Sequence, residues 1–236
     1  MFIAGFLAGA LLAMGVAVLK VKLGVNEIIS TIMLNYIFIY VVDWLIHGPW
    51  RGESMRGFGY TDMFPEAACL PLIPGTRIHW VTLIIGVGAV VGASLILHRT
   101  WLGYEIQVAG QSKDAARYAG VNFLQVTLWV ALLSGGLAGL AGVGEVAGVH
   151  FRLTPPQDIS MGYGFTAIIV AWLARGNPLA AVLTAFFFGL IFSVGDLLKA
   201  AMGMPFQIVD IFNGLVLFFV VGSEILLGYR FHWKKE

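Results

Sequence analysis

The amino-acid sequence predicts an all-α polytopic integral membrane protein of about six to seven transmembrane segments, one of them a short broken or re-entrant helix. The composition is the first observation behind this prediction. Apolar residues make up 59% of the chain and charged residues only 11%, whereas soluble domains carry about 25% charged residues. The second observation is that several mostly apolar runs approach the roughly 20 residues that cross a bilayer as a helix.

Charge and cysteine content exclude several other classes of protein. The net charge of +1 does not supply the basic footprint that is typical of nucleic-acid binding. The single cysteine, Cys69, excludes an internal disulfide and a cysteine-based zinc site. The sequence shows no arrangement of a nucleophile with a base, so an intramembrane enzyme is the function least expected. Scattered histidines without helix-spaced partners predict no metal site: His47, His79, His98, His150 and His232.

Long apolar runs predict four spans before the short segment. The first lacks the basic start and small-residue cleavage site of a signal peptide, so we expect it to be retained. A proline-bearing loop, Gly48–Arg77, separates the second span from the third and is expected to be extracytoplasmic. The four predicted spans are Phe2–Leu19, Ile28–Ile46, His79–Leu97 and Val126–Val149.

Glycine pairs mark two of these spans. Small residues four positions apart allow helices to approach closely in lipid. Gly5 and Gly9 form such a pair in the first span, and Gly88 and Gly92 form another in the third. The fourth span is also crowded with glycines, so we expect backbone-to-backbone packing there.

The last third of the chain combines a short helix with two further spans. Phe165–Ala174 is apolar but has only about ten residues, too few to cross a bilayer at 1.5 Å per residue. Irregular backbone at that depth is tolerated only inside protein or beside water. Leu179–Leu198 and Ile208–Leu227 are predicted as the last spans. Residues 1–227 are thus interpreted as one transmembrane domain, and 228–236 as a basic cytoplasmic tail.

The polar segment Thr100–Asn122 is predicted to contain a short helix of about two turns. The Ser112 hydroxyl can accept from a free amide one turn later, and Asp114 lies in the first turn, where the helix dipole favours an anion. Gly120 is a plausible end. A helix of this kind between two apolar spans suits docking into a groove of another protein.

The faces and joints of this short helix can also be predicted. We expect alanines to form the face buried against the partner, namely Ala115, Ala116 and Ala119. Asp114 and Arg117 are expected at the rim of that contact. Glycine is the residue that bends most freely, and the glycines expected to act as joints are Gly103, Gly110 and Gly120.

The motif L-G-Y-E-I-Q-V-A-G-Q-S-K-D-A-A-R-Y-A-G-V-N resembles the coupling loop of permease subunits of ATP-binding-cassette importers. The closest group is the ribose, simple-sugar, nucleoside and branched-chain amino acid permeases. The resemblance continues in G-V-N-E-I-I-S-T-I-M-L-N-Y-I upstream, and in S-G-G-L-A-G-L-A-G-V-G-E-V-A-G-V-H-F-R-L and G-Y-G-F-T-A-I-I-V-A-W-L-A-R-G-N-P downstream. Nucleoside or simple-sugar permeases are the most similar.

This resemblance implies an assembly and a place. Permeases of this kind pair with a second permease, two ATPase subunits and an extracytoplasmic substrate-binding protein, in the inner or cytoplasmic membrane. Members usually carry further spans before this point, so we expect N-terminal spans to be missing. No G-x-x-x-x-G-K-[ST] motif occurs, so ATP and Mg are expected on the partner ATPase and no cofactor on this chain. The residues implied in coupling to the ATPase are Ser112, Lys113, Asp114, Ala115, Ala116, Arg117, Tyr118, Ala119 and Gly120.

The distribution of Lys and Arg gives an orientation. With the coupling segment and C-terminus in the cytoplasm, nine basic residues lie inside and five outside, as the positive-inside rule favours. Those inside are Lys20, Lys22, Arg99, Lys113, Arg117, Arg175, Arg230, Lys234 and Lys235. Those outside are Arg51, Arg56, Arg77, Arg152 and Lys199.

Polar residues within spans are candidates for the substrate path, because burying them in lipid is costly. Glu145 either lines the path or is a structural carboxylate paired with His150 or Arg152. Asn26 and the asparagines below are expected on spans, where they either link helices or meet substrate. The path candidates are Asn35, Glu145, Gly164, Thr166 and Asn213.

Alternative functions remain open at this stage. A proton-coupled secondary transporter would use Glu145 and Asp210 and would have no reason to present a docking helix. A branched-chain amino acid permease of the same family would share the fold but transport a zwitterion. A structural or assembly protein would have no conducting path.

Overall fold

The computed structural model describes residues 1–53, 59–75, 78–203, 207–208, 211–212, 214–216, 218–219 and 222. Within these ranges the regular structure is helical, apart from one isolated β-bridge between Leu72 and His79, which confirms the all-α prediction. A 3₁₀ turn at Glu66–Ala68 lies in the loop after the second helix. The helices are α1 Phe2–Leu23, α2 Glu27–His47, α3 Trp80–Arg99, α4 Trp101–Gln111, α5 Lys113–Tyr118, α6 Phe123–Glu145, α7 Pro156–Ser160, α8 Tyr163–Leu173 and α9 Pro178–Met202.

Five helices in the described part of the chain are long and apolar enough to cross a membrane: α1, α2, α3, α6 with its continuation to His150, and α9. They correspond to the first four predicted spans and to Leu179–Leu198. The short apolar segment is indeed a short helix, since α8 has 11 residues. Most of the last predicted span, including Asp210 and Asn213, lies outside the described residues, as does the tail 228–236.

The chain divides into two compact units, Met1–Met161 and Gly162–Glu236. In the second unit α8 and α9 form a hairpin. Left-handed backbone at Arg175 (φ 51°) and Gly176 (φ 72°) reverses the chain, and the Asn177 side chain then accepts from the Leu179 amide at 2.9 Å. Thr184 of α9 donates its hydroxyl to the Val170 carbonyl of α8 at 3.3 Å, so a tight turn joins the two helices.

In the first unit, α1 and α6 pack antiparallel along a seam of glycines. A Cβ placed on Gly9 would overlap the Gly135 carbonyl oxygen, and one on Gly5 would overlap the Val143 side chain and crowd the Gly139 carbonyl. Only glycine therefore allows this distance between the two backbones. The prediction of close approach at Gly5 and Gly9 is confirmed.

The other predicted glycine pair is not used within the described part of the chain. A Cβ added to Gly88 or Gly92 of α3 would meet no atom within 4 Å. The two pairs look alike in sequence, but a small-residue pair promotes packing only where a second helix supplies a matching groove. Here α6 supplies that groove to α1, and no described helix supplies one to these two glycines.

The antiparallel seam also determines which helix ends lie on the same side of the first unit. The C-terminal end of α1, with Lys20 and Lys22, lies on the same side as the start of α6 and the short helix α5 that precedes it. A turn through Gly24 (φ 67°) leads into α2, and the Lys20 ammonium pairs with the Glu27 carboxylate across it. Asn26, expected on a span, is instead the N-cap of α2, where its side chain accepts from the Ile28 amide at 2.9 Å.

We expect Gly9→Ala to destabilise the protein by about 1–3 kcal/mol, because the added methyl group overfills a seam of backbone atoms. Gly15→Ala in the same helix is the matched control. An added Cβ at Gly15 meets nothing within 4 Å, and alanine favours a helix by about 0.8–1.0 kcal/mol over glycine. Thermal unfolding in detergent measures both. Equal midpoints for the two variants would contradict the seam.

Candidate functional site

The polar segment between α3 and α6 forms two helices where the sequence predicted one. The additional helix, α4, begins at Thr100, whose hydroxyl accepts from the Gly103 amide at 3.2 Å and donates to the Ile96 carbonyl at 2.6 Å. Gln107 then donates to the Leu97 carbonyl at 2.8 Å, so α4 folds back on the end of α3. Thr100 was the available signal in the sequence, but the glycines at 103 and 110 argued against a helix.

The predicted short helix is present as α5, Lys113–Tyr118. The Ser112 hydroxyl accepts from the Ala115 amide at 3.2 Å, which confirms the N-cap. Asp114 lies in the first turn and Arg117 in the last. The chain leaves the helix through Gly120, whose φ of 76° is left-handed and whose amide donates to the Arg117 carbonyl at 3.1 Å.

The exposed surface of α5 differs from the predicted docking face. Ala116 is only 2% exposed within this chain, which contradicts its assignment to a face offered to a partner. Tyr118 is 95% exposed and is the most exposed large apolar side chain among the described residues of the helix. The other exposed positions are Ser112, Asp114, Ala115, Arg117, Ala119 and Gly120; the side chain of Lys113 is outside those described.

The three glycines expected as joints also differ from one another. Gly103 is buried, and a Cβ there would overlap the Ile96 carbonyl oxygen and crowd that of Leu97, so it permits close packing of α4 on α3 and is not a free joint. Gly110 meets no atom within 4 Å of an added Cβ. Gly120 alone has the left-handed backbone that requires glycine.

A cleft of about 520 Å³ opens between α5 and the start of α6. Arg117 and Asp114 border it on one side. On the other side the Asn122 side chain accepts from the Leu124 and Gln125 amides at 3.1 and 3.3 Å, so α6 begins immediately beside the cleft. The cleft and the exposed face of α5 together form a surface suited to a protein partner, which we call the α5 surface.

At the opposite end of the spans, a cavity of about 330 Å³ lies between α3 and α6. Glu145 is one of its lining residues. His79, directly before α3, lines the same cavity and was not among the predicted path residues. The missed signal was a histidine opening an apolar span, followed three residues later by Thr82. The lining also includes Gly86, Leu137 and Gly144.

The loop after α2 fastens onto the chain that follows Glu145. Here α6 continues as a π-helix, Val146–His150, and the last carbonyls of a helix have no partner within it, so they can accept from other segments. The Leu70 amide donates to the Ala147 carbonyl at 3.1 Å, and the Phe64 amide to the Phe151 carbonyl at 2.8 Å. Residues 59–75 of this loop therefore lie over this end of the spans, and we call them the clasp.

Further contacts hold the clasp and the chain after Glu145 in place. Thr61 pairs with Leu153 in both directions, its amide donating to the Leu153 carbonyl at 3.1 Å and its hydroxyl accepting from the Leu153 amide at 3.0 Å. The Arg152 guanidinium lies 4.8 Å from the centre of the Tyr60 ring. The ring of His150 lies 3.5 Å from the backbone carbonyl of Glu145.

The remaining path candidates lie on other helices or outside the described residues. Asn35 is exposed on α2. Thr166 is buried in α8, with its hydroxyl 3.5 Å from the Gly162 carbonyl, and Gly164 is exposed on the same helix; both belong to the second unit. Asn213 lies outside the described residues.

Comparison with known proteins gives consistent results. The family described as branched-chain amino acid transport system / permease component matches residues 1–221. The chain is 35% identical over 98% of its length to a glucose ABC transporter permease protein of Haloferax volcanii. It is 28% identical over 95% of its length to a nucleoside ABC transporter permease protein of Lactococcus lactis. It is also 28% identical, over 97%, to a guanosine ABC transporter permease protein of Bacillus subtilis.

The chain covers only part of the length of each relative. The chain spans 62%, 63% and 66% of the lengths of the three relatives, respectively. No solved structure matches the chain.

We expect Thr61→Val to loosen the clasp, because valine removes the hydroxyl that accepts from the Leu153 amide. Loss of one hydrogen bond, about 0.5–1.5 kcal/mol, should speed amide exchange at Leu153 by roughly 2- to 10-fold. Hydrogen exchange with mass spectrometry of the purified protein measures this. Thr61→Ser keeps the hydroxyl and serves as control; equal exchange in both variants would show that the contact contributes nothing.

Proposed function

The chain belongs to the permease-component family of the branched-chain amino acid transport system, and from this premise we propose that it is a membrane-spanning subunit of an ATP-binding-cassette importer. The observation that carries the proposal is the α5 surface. A capped, six-residue helix that presents Tyr118 and Arg117 at one end of the spans suits a partner that pushes on the membrane domain. A carrier that works without an ATPase needs no such surface.

The contacts around α5 provide a route for this movement. Ser112 ends α4, since its amide donates to the Val108 carbonyl at 3.1 Å, and it also caps α5. At the other end the Val121 amide donates to the Ala116 carbonyl at 3.0 Å, directly before the Asn122 cap of α6. A displacement of α5 is therefore passed to α6, and α1 moves with α6 because their backbones interlock at the glycine seam.

ATP and Mg are proposed to bind to a separate ATPase subunit and not to this chain. A second permease subunit and an extracytoplasmic substrate-binding protein complete the proposed assembly. ATP binding and hydrolysis would move α5, and alternating access would follow as α6 tilts between two arrangements. This chain's own contribution is the path and the transmission of force.

The proposed substrate is a small neutral solute with several hydroxyl groups. Support comes from the relatives, whose names specify glucose, nucleoside and guanosine. The cavity beside Glu145 agrees with this class, since Lys and Arg are absent among its described lining residues. A substrate carboxylate would lack a cationic partner there. The family description makes a branched-chain amino acid the competing substrate to include in the assay.

The helix ends that the seam brings together support an orientation in the membrane. The protein is a multi-pass membrane protein, and we propose that it lies in the cytoplasmic membrane with α5 in the cytoplasm. Lys20 and Lys22 of α1 lie at the same end as Lys113 and Arg117. Arg51 and Arg152 lie at the opposite end, so the described first unit agrees with the positive-inside rule.

We expect the double variant Arg117→Glu, Tyr118→Ala to lose ATPase binding and ATP-dependent uptake while still inserting into the membrane. Both side chains are exposed, so their loss should leave the fold intact. Co-purification of the ATPase in mild detergent and uptake into proteoliposomes measure the effect, which we expect to exceed tenfold, about 1.4 kcal/mol. Ala116→Asp is unsuitable here because it would place a charge at a buried position.

Glu66→Lys is the matched control, since it reverses an exposed charge in the clasp at the other end of the spans. It should retain the ATPase. Wild-type co-purification and uptake in the double variant would remove the basis of the importer assignment for α5.

We expect cysteines at the two ends to react from opposite sides of the membrane. In a Cys69→Ser background, a membrane-impermeant maleimide should label Glu66→Cys in intact cells and Tyr118→Cys only in inverted vesicles. The reverse pattern would overturn the proposed orientation. Labelling of both variants from one side would overturn the number of crossings between them.

A further inference from the structure

The side chain of His79, directly before α3, contains a buried nitrogen atom without a hydrogen-bond partner. It is only 9% exposed, and its Nε2 atom is one of two buried side-chain polar atoms in the described chain without a hydrogen-bond partner. Buried polar groups nearly always have a partner, because an unsatisfied one is costly. An orphan at the edge of a cavity therefore indicates a partner that is supplied from the cavity.

The position of the ring is fixed by glycine. A Cβ on Gly148 would lie 3.2 Å from both Nδ1 and Cε1 of His79, and one on Gly144 would lie 2.8 Å from the Thr82 methyl group. These two glycines let the end of α6 approach α3 closely. The approach places His79 and Glu145 among the residues that line one cavity of about 330 Å³.

The cavity has the chemistry of a small-molecule site. Its volume lies at the lower end of the roughly 300–1,000 Å³ that such sites occupy, and they combine an apolar lining with a few polar groups. The apolar part here includes Ile85, Ala89 and Leu137. Thr82 is engaged with the backbone, since its hydroxyl donates to the His79 carbonyl at 2.9 Å. Glu145 and His79 are left as the groups that can meet a ligand.

We propose that the cavity between α3 and α6 is a binding station for the transported solute, in which Glu145 and His79 hydrogen-bond hydroxyl groups of a sugar or ribose ring. A carboxylate accepts from hydroxyls, and an imidazole both donates and accepts, so the two together match neighbouring hydroxyls. This inference rests on the proposed import function and names the residues that recognise its substrate class. The cavity lies at the end opposite α5, where solute would enter from outside.

The clasp holds both walls of this station. Leu72 forms its β-bridge with His79, while Leu70, two residues earlier, donates to the Ala147 carbonyl beyond Glu145. A three-residue stretch thus joins the α3 wall to the α6 wall. The spacing between His79 and Glu145 is therefore set by the loop as well as by the glycines.

The test is ATP-dependent uptake of labelled glucose and labelled guanosine by the complete complex in proteoliposomes. We expect His79→Leu and Glu145→Leu each to raise KM about tenfold, as loss of a hydrogen bond to a charged or buried group predicts. His79→Gln should stay near the wild-type KM because it keeps a donor and an acceptor. Unchanged KM in both the His79→Leu and Glu145→Leu variants would overturn the station.

A second measurement does not depend on the polar variants folding. In a Cys69→Ser background, a cysteine at Ala89 lies in the cavity wall, whereas one at Val91 of the same helix does not line it. We expect the transported probe to protect Ala89→Cys, and not Val91→Cys, from a hydrophilic thiosulfonate reagent. Equal reaction with and without the probe at Ala89→Cys would place the solute elsewhere.

The wild-type complex separates this inference from the function on which it rests. If it accumulates neither probe but accumulates leucine, the proposed substrate class is wrong and the station as described falls with it. If it accumulates a probe and the cavity variants behave as wild type, the importer assignment stands and only the station is overturned.

Discussion

The contact of the α1 and α6 backbones at Gly9 and Gly135 is the constraint on which the first unit depends. Lipid offers no hydrophobic drive for two apolar helices to associate, so close van der Waals packing must stabilise the pair. A Cβ at either glycine would overlap a carbonyl oxygen of the other helix. This seam sets the antiparallel order of α1 and α6, and with it which ends of the chain lie on the same side.

Within the first unit, the helix α6 links the α5 surface to the cavity beside Glu145, the two sites for which functions are proposed. Its first turn is capped by Asn122 beside the α5 surface, and its last turn carries Glu145 into the cavity with His79. Because α6 is interlocked with α1, it moves as part of a rigid pair and not as an isolated rod. An importer that is moved by an ATPase at one end and binds solute at the other needs a helix that connects these two ends.

The π-helix after Glu145 explains how a polar loop is held at the end of apolar helices. The last turn of this helix leaves carbonyls such as that of Ala147 without a partner in the helix, and the loop supplies the amide of Leu70. Backbone groups there are satisfied without a further helix, as the edge of a membrane requires. The same contacts bring the loop to both walls of the cavity.

The sequence by itself determined the features that depend on near neighbours in the chain. Composition established the membrane class, Ser112 predicted its cap because the Ala115 amide is three residues away, and the length of the run at 165–174 predicted a short helix. Which helix faces which depends on contacts between distant residues, and these only the tertiary structure decided. Gly5 and Gly88 stand in similar patterns, yet among the described helices only the first meets a partner. Ala116 was buried and His79 was brought to Glu145 by packing that joins segments far apart in the chain, and no local pattern encodes such packing.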